Sequence, residues 1–223
     1  MSEFKNDTGF TAIAQIEGYW DALRGARLMP KRSEIDPRGI ESALEFTFVL
    51  ERIAPGMARL RIAGSHLSDL MGMEVRGMPL TSFVSPGSRR QLSDAMEEVF
   101  QRPAVCELRL SAETGRDKPP MDARLILLPL KSDLGDVSRI LGCLVARGDI
   151  GRAPRRFEII GARMRPITSV AEVPCEMPKV SPAVEPAVAP DRAVPGFAEA
   201  ESGFAPRPSR TDVPYLRLVK TDD

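Results

Sequence analysis

Proline is distributed so unevenly along this chain that it divides the molecule before any other property is considered. Eleven of the 20 prolines fall between Pro154 and Pro214, and through Val173-Pro174-Cys175-Glu176-Met177-Pro178-Lys179-Val180-Ser181-Pro182 the ring recurs every few residues. Each proline fixes φ and deletes a backbone donor, so a stretch this rich in it sustains neither helix nor central strand. The same third of the chain is poor in large apolar side chains and has little to bury. The reading is a flexible N-terminus at 1–10, one folded domain over 11–150, a disordered proline-rich tail over 151–210, and a short apolar C-terminal motif over 211–223. A core of about 150 residues suffices to bury most of its apolar surface. It leaves no room for a second, catalytic domain.

Charge and cysteine usage exclude several classes of function. Lys+Arg and Asp+Glu are both 31, a net charge of +0, so no basic excess points to nucleic acid or to an anionic membrane. Cys106, Cys143 and Cys175 are unevenly spaced and form no Cys-x-x-Cys pair, which argues against a zinc site or a disulfide framework. Cys106 and Cys143 lie in apolar, strand-like surroundings, where a free cysteine behaves as a small buried hydrophobe. Met1 to Asp7 lacks the apolar core of a signal peptide. The longest apolar run, Leu125 to Leu130, falls far short of the roughly 20 residues of a membrane span. The chain reads as cytoplasmic.

Within the domain the periodicities alternate. Ile13, Ile16, Tyr19, Trp20 and Leu23 recur every three or four residues over Thr11 to Arg24, the apolar stripe of an amphipathic helix. Asp36-Pro37 is a cap followed by proline at the first helical position, opening a short turn of helix through Ala43. Phe46 to Ile53 and Arg59 to Ala63 are strands joined at the Pro55-Gly56 turn. Ser65 caps a short helix bearing Leu67, Leu70 and Met71 that stops at Gly72. Leu92, Ala95, Met96, Val99 and Phe100 share one face of a longer helix over Ser88 to Gln101, ended by Pro103. Ala104 to Leu110, Ala123 to Leu130 and Arg139 to Ala146 are strands, joined by turn-rich connectors as antiparallel hairpins. Five strands with helices inserted between the second and third make an α+β fold with its helices on one face of the sheet.

Several stretches carry a resemblance. Tyr19-Trp20-Asp21-Ala22-Leu23-Arg24, Pro30 with Arg32-Ser33-Glu34-Ile35-Asp36-Pro37, Phe48 to Ile53, Arg61-Ile62-Ala63-Gly64, and Leu67-x-x-Leu70-Met71-Gly72-x-Glu74-Val75-x-Gly77 together resemble the PAS domain. More narrowly they are similar to the single-domain PAS_5 family common in alphaproteobacteria. The match covers Gly18 to Ala146. It implies a five-stranded antiparallel sheet whose concave face, closed by helices, holds a small ligand or presents a partner surface. It also implies a signalling role through protein contacts rather than catalysis, with dimerisation through the N-terminal helix.

The candidate chemistry is sparse. His66 is the sole histidine, so any imidazole reaction runs through it, yet its neighbours Ser65 and Asp69 share one helical turn and a triad converges from separate elements. Haem ligation through His66 is the competing cofactor reading. It is disfavoured because the residue opens the short helix after the second strand, whereas haem-binding PAS domains place their ligand on the later, longer helix. No cofactor is expected. A flavin adduct needs a cysteine between Met73 and Gln101, and that segment has none. Glu97 and Glu98 fall on a polar helix face, and no phosphate-cradling glycine loop is present.

The expected ligand cavity is therefore lined by Phe48, Leu50, Leu60, Ile62, His66, Leu67, Met71, Leu92, Met96, Leu125, Leu127 and Leu141, which are also ordinary core positions. The candidate partner contacts are Tyr19 and Trp20 on the first helix, for which packing against the domain's own sheet is the competing role. Tyr215, Leu216 and Leu218 are a second, separate set, in the apolar island Val213 to Lys220 suited to strand addition. The function read from these features is a non-catalytic sensory or signalling domain that binds a small ligand, a protein partner, or both. The alternative is a pure adaptor that captures its partner with the C-terminal motif.

Overall fold

A computed structural model describes residues 9–168 of the chain. Helix α1 spans Thr11–Arg24, and 3-10 turns at Arg32–Glu34 and Pro37–Phe46 lead into strands β1 (Thr47–Ala54) and β2 (Met57–Ala63). Helix α2 (Ser65–Met71), a 3-10 turn at Leu80–Phe83 and helix α3 (Arg89–Gln101) follow. Strands β3 (Ala104–Ala112), β4 (Asp122–Lys131), β5 (Val137–Arg147) and β6 (Phe157–Pro166) complete the order. The six strands form one antiparallel sheet in the order β2-β1-β5-β4-β3-β6. The α+β class and the hairpin connections expected from sequence hold.

Two expectations give way. The sheet has six strands rather than five, because β6 lies inside the stretch assigned to the disordered tail. Proline acts only on its own position and its predecessor, and none occurs between Pro154 and Pro166. That gap is enough for an edge strand, where a terminal proline is tolerated. Phe157 at its start is fully buried, and Arg155 just before it is also fully buried.

The second correction concerns layers. Helices cover both faces of the sheet, not one. Helices α2 and α3 pack with Phe48, Leu50, Leu60, Leu108, Leu125 and Leu127 on the cup face. Helix α1 packs on the opposite, outer face with Val49, Ile126, Leu128, Leu141 and Cys143. A strand buried on both sides must be apolar at every position, which is why β4 reads Leu-Ile-Leu-Leu without alternation. Gly142 on β5 is forced by the cup side: a Cβ there would lie 2.2 Å from the Phe48 ring.

Local chemistry sets the remaining boundaries. The Asp36 carboxylate accepts from the Arg38 backbone N–H at 3.0 Å, capping the turn that Pro37 opens. Gly64, not Ser65, occupies the N-cap of α2, and no side chain caps that end. Gly72 closes the helix in the left-handed region (φ 68°), a conformation glycine adopts without steric penalty.

Candidate functional site

The outer face of the sheet has two flanks that α1 leaves uncovered, and they differ in chemistry. On the β3–β6 flank, Glu107, Arg109, Arg124 and Arg163 occupy adjoining register positions. Arg124 pairs with Glu107 at 3.5 Å, and Arg165 pairs with Glu17 of α1. That is an ion-paired, polar sheet surface. The β2–β1 flank instead presents hydrocarbon. Val49 is opposite Ile62 on β2 and opposite Leu141 on β5, so the three make one apolar row across three strands. The next row is charged: Glu51 lies opposite Arg59 and opposite Arg139.

A register irregularity between Val49 and Leu50 creates this arrangement. Leu60 pairs with Leu50 and faces the cup, while Ile62 pairs with Val49 and faces outward, leaving Arg61 as the extra residue. Arg61 bends back onto Glu51, which thereby receives Arg59 at 3.1 Å and both Arg61 and Arg139. Burial opposes ionisation of this carboxyl, but hydrogen bonds from Arg139 and Arg59, Arg139's charge and a further bond from Arg61 outweigh it. They hold the Glu51 pKa down at about 2.

The 3-10 turns wall off this flank and make it concave. The resulting cleft encloses 540 Å³ between Arg32, Ile35, Pro37, Ile40, Leu44 and Glu45 on one side and Thr47, Phe48, Val49, Ile62, Ala63, Gly64, Ser65 and Leu141 on the other. A second hollow of 600 Å³ shares Arg32, Val49 and Ile62 with it and extends over Glu51, Arg61, Arg139 and the Ser132–Leu134 turn. Leu44 (42 %) and Ile62 (49 %) form the exposed lip, and Ile35, Ile40 and Leu141 are recessed beneath it. The wall is anchored to α1: the Tyr19 hydroxyl accepts from the Asp36 N–H at 2.8 Å and lies 3.1 Å from the Asp36 carbonyl oxygen, to which it donates.

A scan against protein-family models matches residues 10–145 to the PAS domain model PAS_5. The chain belongs to the PAS domain family. No curated protein matches it. Among solved structures, the light-state LOV domain of the blue-light photoreceptor Aureochrome1 is similar at a TM-score of 0.35 and 10% identity, over 50% of this chain and 88% of that one.

The sheet divides the residues expected to line one cavity. In this PAS domain Phe48, Leu50, Leu60, Leu67, Met71, Leu92, Met96, Leu125 and Leu127 all lie within the cup-side core, each at most 6 % exposed. Ile62 and Leu141 face the other way and line the outer cleft, where Phe48 also reaches. Alternation alone puts Leu60 and Ile62 on one face; the irregular pairing at Arg61 separates them. Arg32, Ile35, Ile40, Leu44 and Val49 escaped the sequence reading of the site, although the first two belong to the Arg32–Pro37 stretch that carried the resemblance.

The reactive side chains are occupied structurally. His66 is half-buried, its Nε2 accepts the Ala146 backbone N–H at 3.1 Å, and its ring meets Phe46 edge-on at 4.9 Å. Burial pushes its pKa below the usual histidine range against the pull of Glu45 and Asp69. An Nε2 already accepting from the β5 backbone does not fit a haem ligand. Burial raises the thiols of Cys106 and Cys143 to about 12, keeping both protonated. Among the described residues no cluster of three or more His, Cys, Asp or Glu is arranged to hold a metal, and no helix is long and apolar enough to cross a membrane.

The aromatic anchors on α1 serve this domain itself. Trp20 is fully buried and its indole N–H donates to the Pro129 carbonyl at 2.9 Å, so of the two roles open to it in the sequence it takes packing against the domain's own sheet. Tyr19 is committed to Asp36. Tyr215, Leu216 and Leu218 lie outside the described residues.

Proposed function

We propose that this PAS domain is a non-catalytic sensory module that takes up a small ligand in the cleft over β2, β1 and β5 and passes its state on through protein contacts. The observation that carries the reading is the cleft itself. An uncovered apolar row, walled by a short irregular segment and ending in arginines, stands on a sheet whose opposite flank is laced with ion pairs. Concave sites of 300–1,000 Å³ with apolar walls and a few polar groups are the usual form of small-molecule pockets. The non-catalytic part is supported by the structural use of His66 and by the two protonated thiols. Those buried free thiols also suit the reducing cytoplasm.

The experiment is ligand-observed NMR of the full chain against a panel of small metabolites, repeated on Ile62→Glu. At least one chemical class is expected to bind in competition with others, to lose binding on Ile62→Glu, and to be recovered unchanged. A panel without binders, binders indifferent to Ile62→Glu, or turnover of a bound compound would each refute the proposal.

A further inference from the structure

The cleft changes character along its length, and the change specifies what fills it. One end is hydrocarbon from Ile35, Ile40, Val49, Ile62 and Leu141. The other end carries Arg32, Arg61 and Arg139 against Glu51 and Asp133. Arg61 and Arg139 are spent on Glu51. Arg32 is not: it lines both halves of the cleft, is half-buried, and its guanidinium has no hydrogen bond or ion pair to any described residue. A guanidinium is a planar fork of donors matched to a carboxylate. Partly desolvated without an acceptor, it is a recognition element lacking its counterpart.

We propose that the cleft binds a small amphipathic monocarboxylate, with its hydrocarbon over the Ile62–Val49–Leu141 row and its carboxylate on the Arg32 guanidinium. The inference rests on the sensory reading above and names the ligand class. A cationic ligand would meet the arginine end unfavourably, and a neutral one would leave Arg32 unpaired. A doubly charged headgroup would find one free guanidinium where it needs more. A folded protein partner is disfavoured by area, since a stable interface covers roughly 800 Å² per side. Here the exposed large apolar side chains lining the two hollows are Leu44, Ile62 and Leu134, where one side of such an interface takes about 20–30 residues.

The test uses the full chain labelled at Ile, Leu and Val methyls and titrated with octanoate, octan-1-ol and acetate. Octanoate is expected to shift the Val49, Ile62 and Leu141 methyls saturably. Acetate, with the charge and no tail, is expected to leave them in place. Arg32→Gln should weaken octanoate roughly tenfold, the scale of a lost charged hydrogen bond, and leave octan-1-ol unchanged. Arg32→Lys should recover part of the loss. Ile62→Glu should end octanoate binding, and Ile62→Thr serves if that variant's spectrum shows unfolding. Saturable shifts at Leu67 and Leu92 in place of the cleft methyls would overturn the proposal, as would an octanoate affinity indifferent to Arg32→Gln. If octanoate fails while another metabolite saturates the cleft methyls, the carboxylate proposal falls and the sensory reading stands. If nothing saturates them, both fall.

Discussion

Arg155 is a fully buried cation that forms no ion pair among the described residues, and its replacement tests how β6 is held to the fold. Its guanidinium donates to the carbonyls of Pro119 at 2.6 Å, Ile150 at 2.7 Å and Glu113 at 3.2 Å, with Asp149 at the limit of 3.5 Å. The Arg155 backbone N–H donates to the Leu70 carbonyl at 2.7 Å. One residue thereby ties the β3–β4 loop, the β5–β6 loop and the end of α2 together. Counting only the two short side-chain bonds, at roughly 1.5 kcal/mol each for a charged donor, Arg155→Met should lose about 3 kcal/mol. The longer pair adds little, and relief of the buried Nε, which has no acceptor, offsets part of the loss. For a domain of this size that corresponds to a Tm lower by roughly 6–12 °C. Calorimetry of the parent, Arg155→Met and Arg155→Lys is the assay, with hydrogen exchange at 113–119 and 148–156 as the local readout. Lysine, a point charge, should recover less than half. A methionine variant melting within about 2 °C of the parent would refute the view that these carbonyls depend on the guanidinium.

Phe157→Ala should destabilise the domain by roughly 3–5 kcal/mol in urea titration, because the ring is fully buried in the cup-side core; near-neutrality would mean β6 is an appendage. Trp20→Phe should lose about 1 kcal/mol through the missing indole bond to Pro129, with the chain's only tryptophan fluorescence disappearing alongside. Acidification should weaken the fold in two windows. His66 is native in its neutral form, so its contribution is intact above the ordinary histidine pKa of about 6.5 and is lost as pH falls through its lowered folded value. Glu51 is native as the carboxylate, so its contribution is intact above about 4.5 and is lost as pH falls toward 2. Urea midpoints measured on His66→Phe should lack the first loss and keep the second; a variant that keeps both would remove His66 from the account.

Much of the fold was legible because its periodicities are local. The stripe of α1, the Asp36-Pro37 cap and the hairpin turns each announce themselves within a few residues. Three features were not, and each depends on something a window does not contain. The sixth strand hides because proline-rich composition was averaged across Pro154 to Pro214, whereas the strand needs only the proline-free gap and a partner in β3 far along the chain. The outward turn of Ile62 depends on the pairing of β1 with β2, since a single unpaired Arg61 reverses every later side chain. The placement of α1 on the outer face follows from β4 and β5 being apolar on both sides, a signal present in Leu125 to Leu130 but compatible with more than one layering.

The position of the cleft follows from the width of the sheet. Six strands about 4.8 Å apart span roughly 24 Å between the outermost two, and a helix with its side chains is about 10–12 Å across. One helix on the outer face therefore covers about two strands, and α1 lies over β4 and β5. The strands beyond it on either side must be polar, be covered by something else, or be left apolar and open. On the β3–β6 side the sequence supplies Glu107, Arg109, Arg124 and Arg163. On the β2–β1 side it supplies Val49 and Ile62, and the segment that reaches over them is a pair of 3-10 turns broken by non-helical backbone at Ile40. A regular helix there would pack its side chains onto the row and close it. A kinked 3-10 segment, fastened to α1 by Tyr19 at Asp36 and by Gln15 at Ser42, leaves the hydrocarbon accessible under an arginine that has no hydrogen bond or ion pair among the described residues. Filling that gap is consequently the change of this face that requires no rearrangement of the core, and any ligand doing so presses directly on the segment that joins α1 to β1.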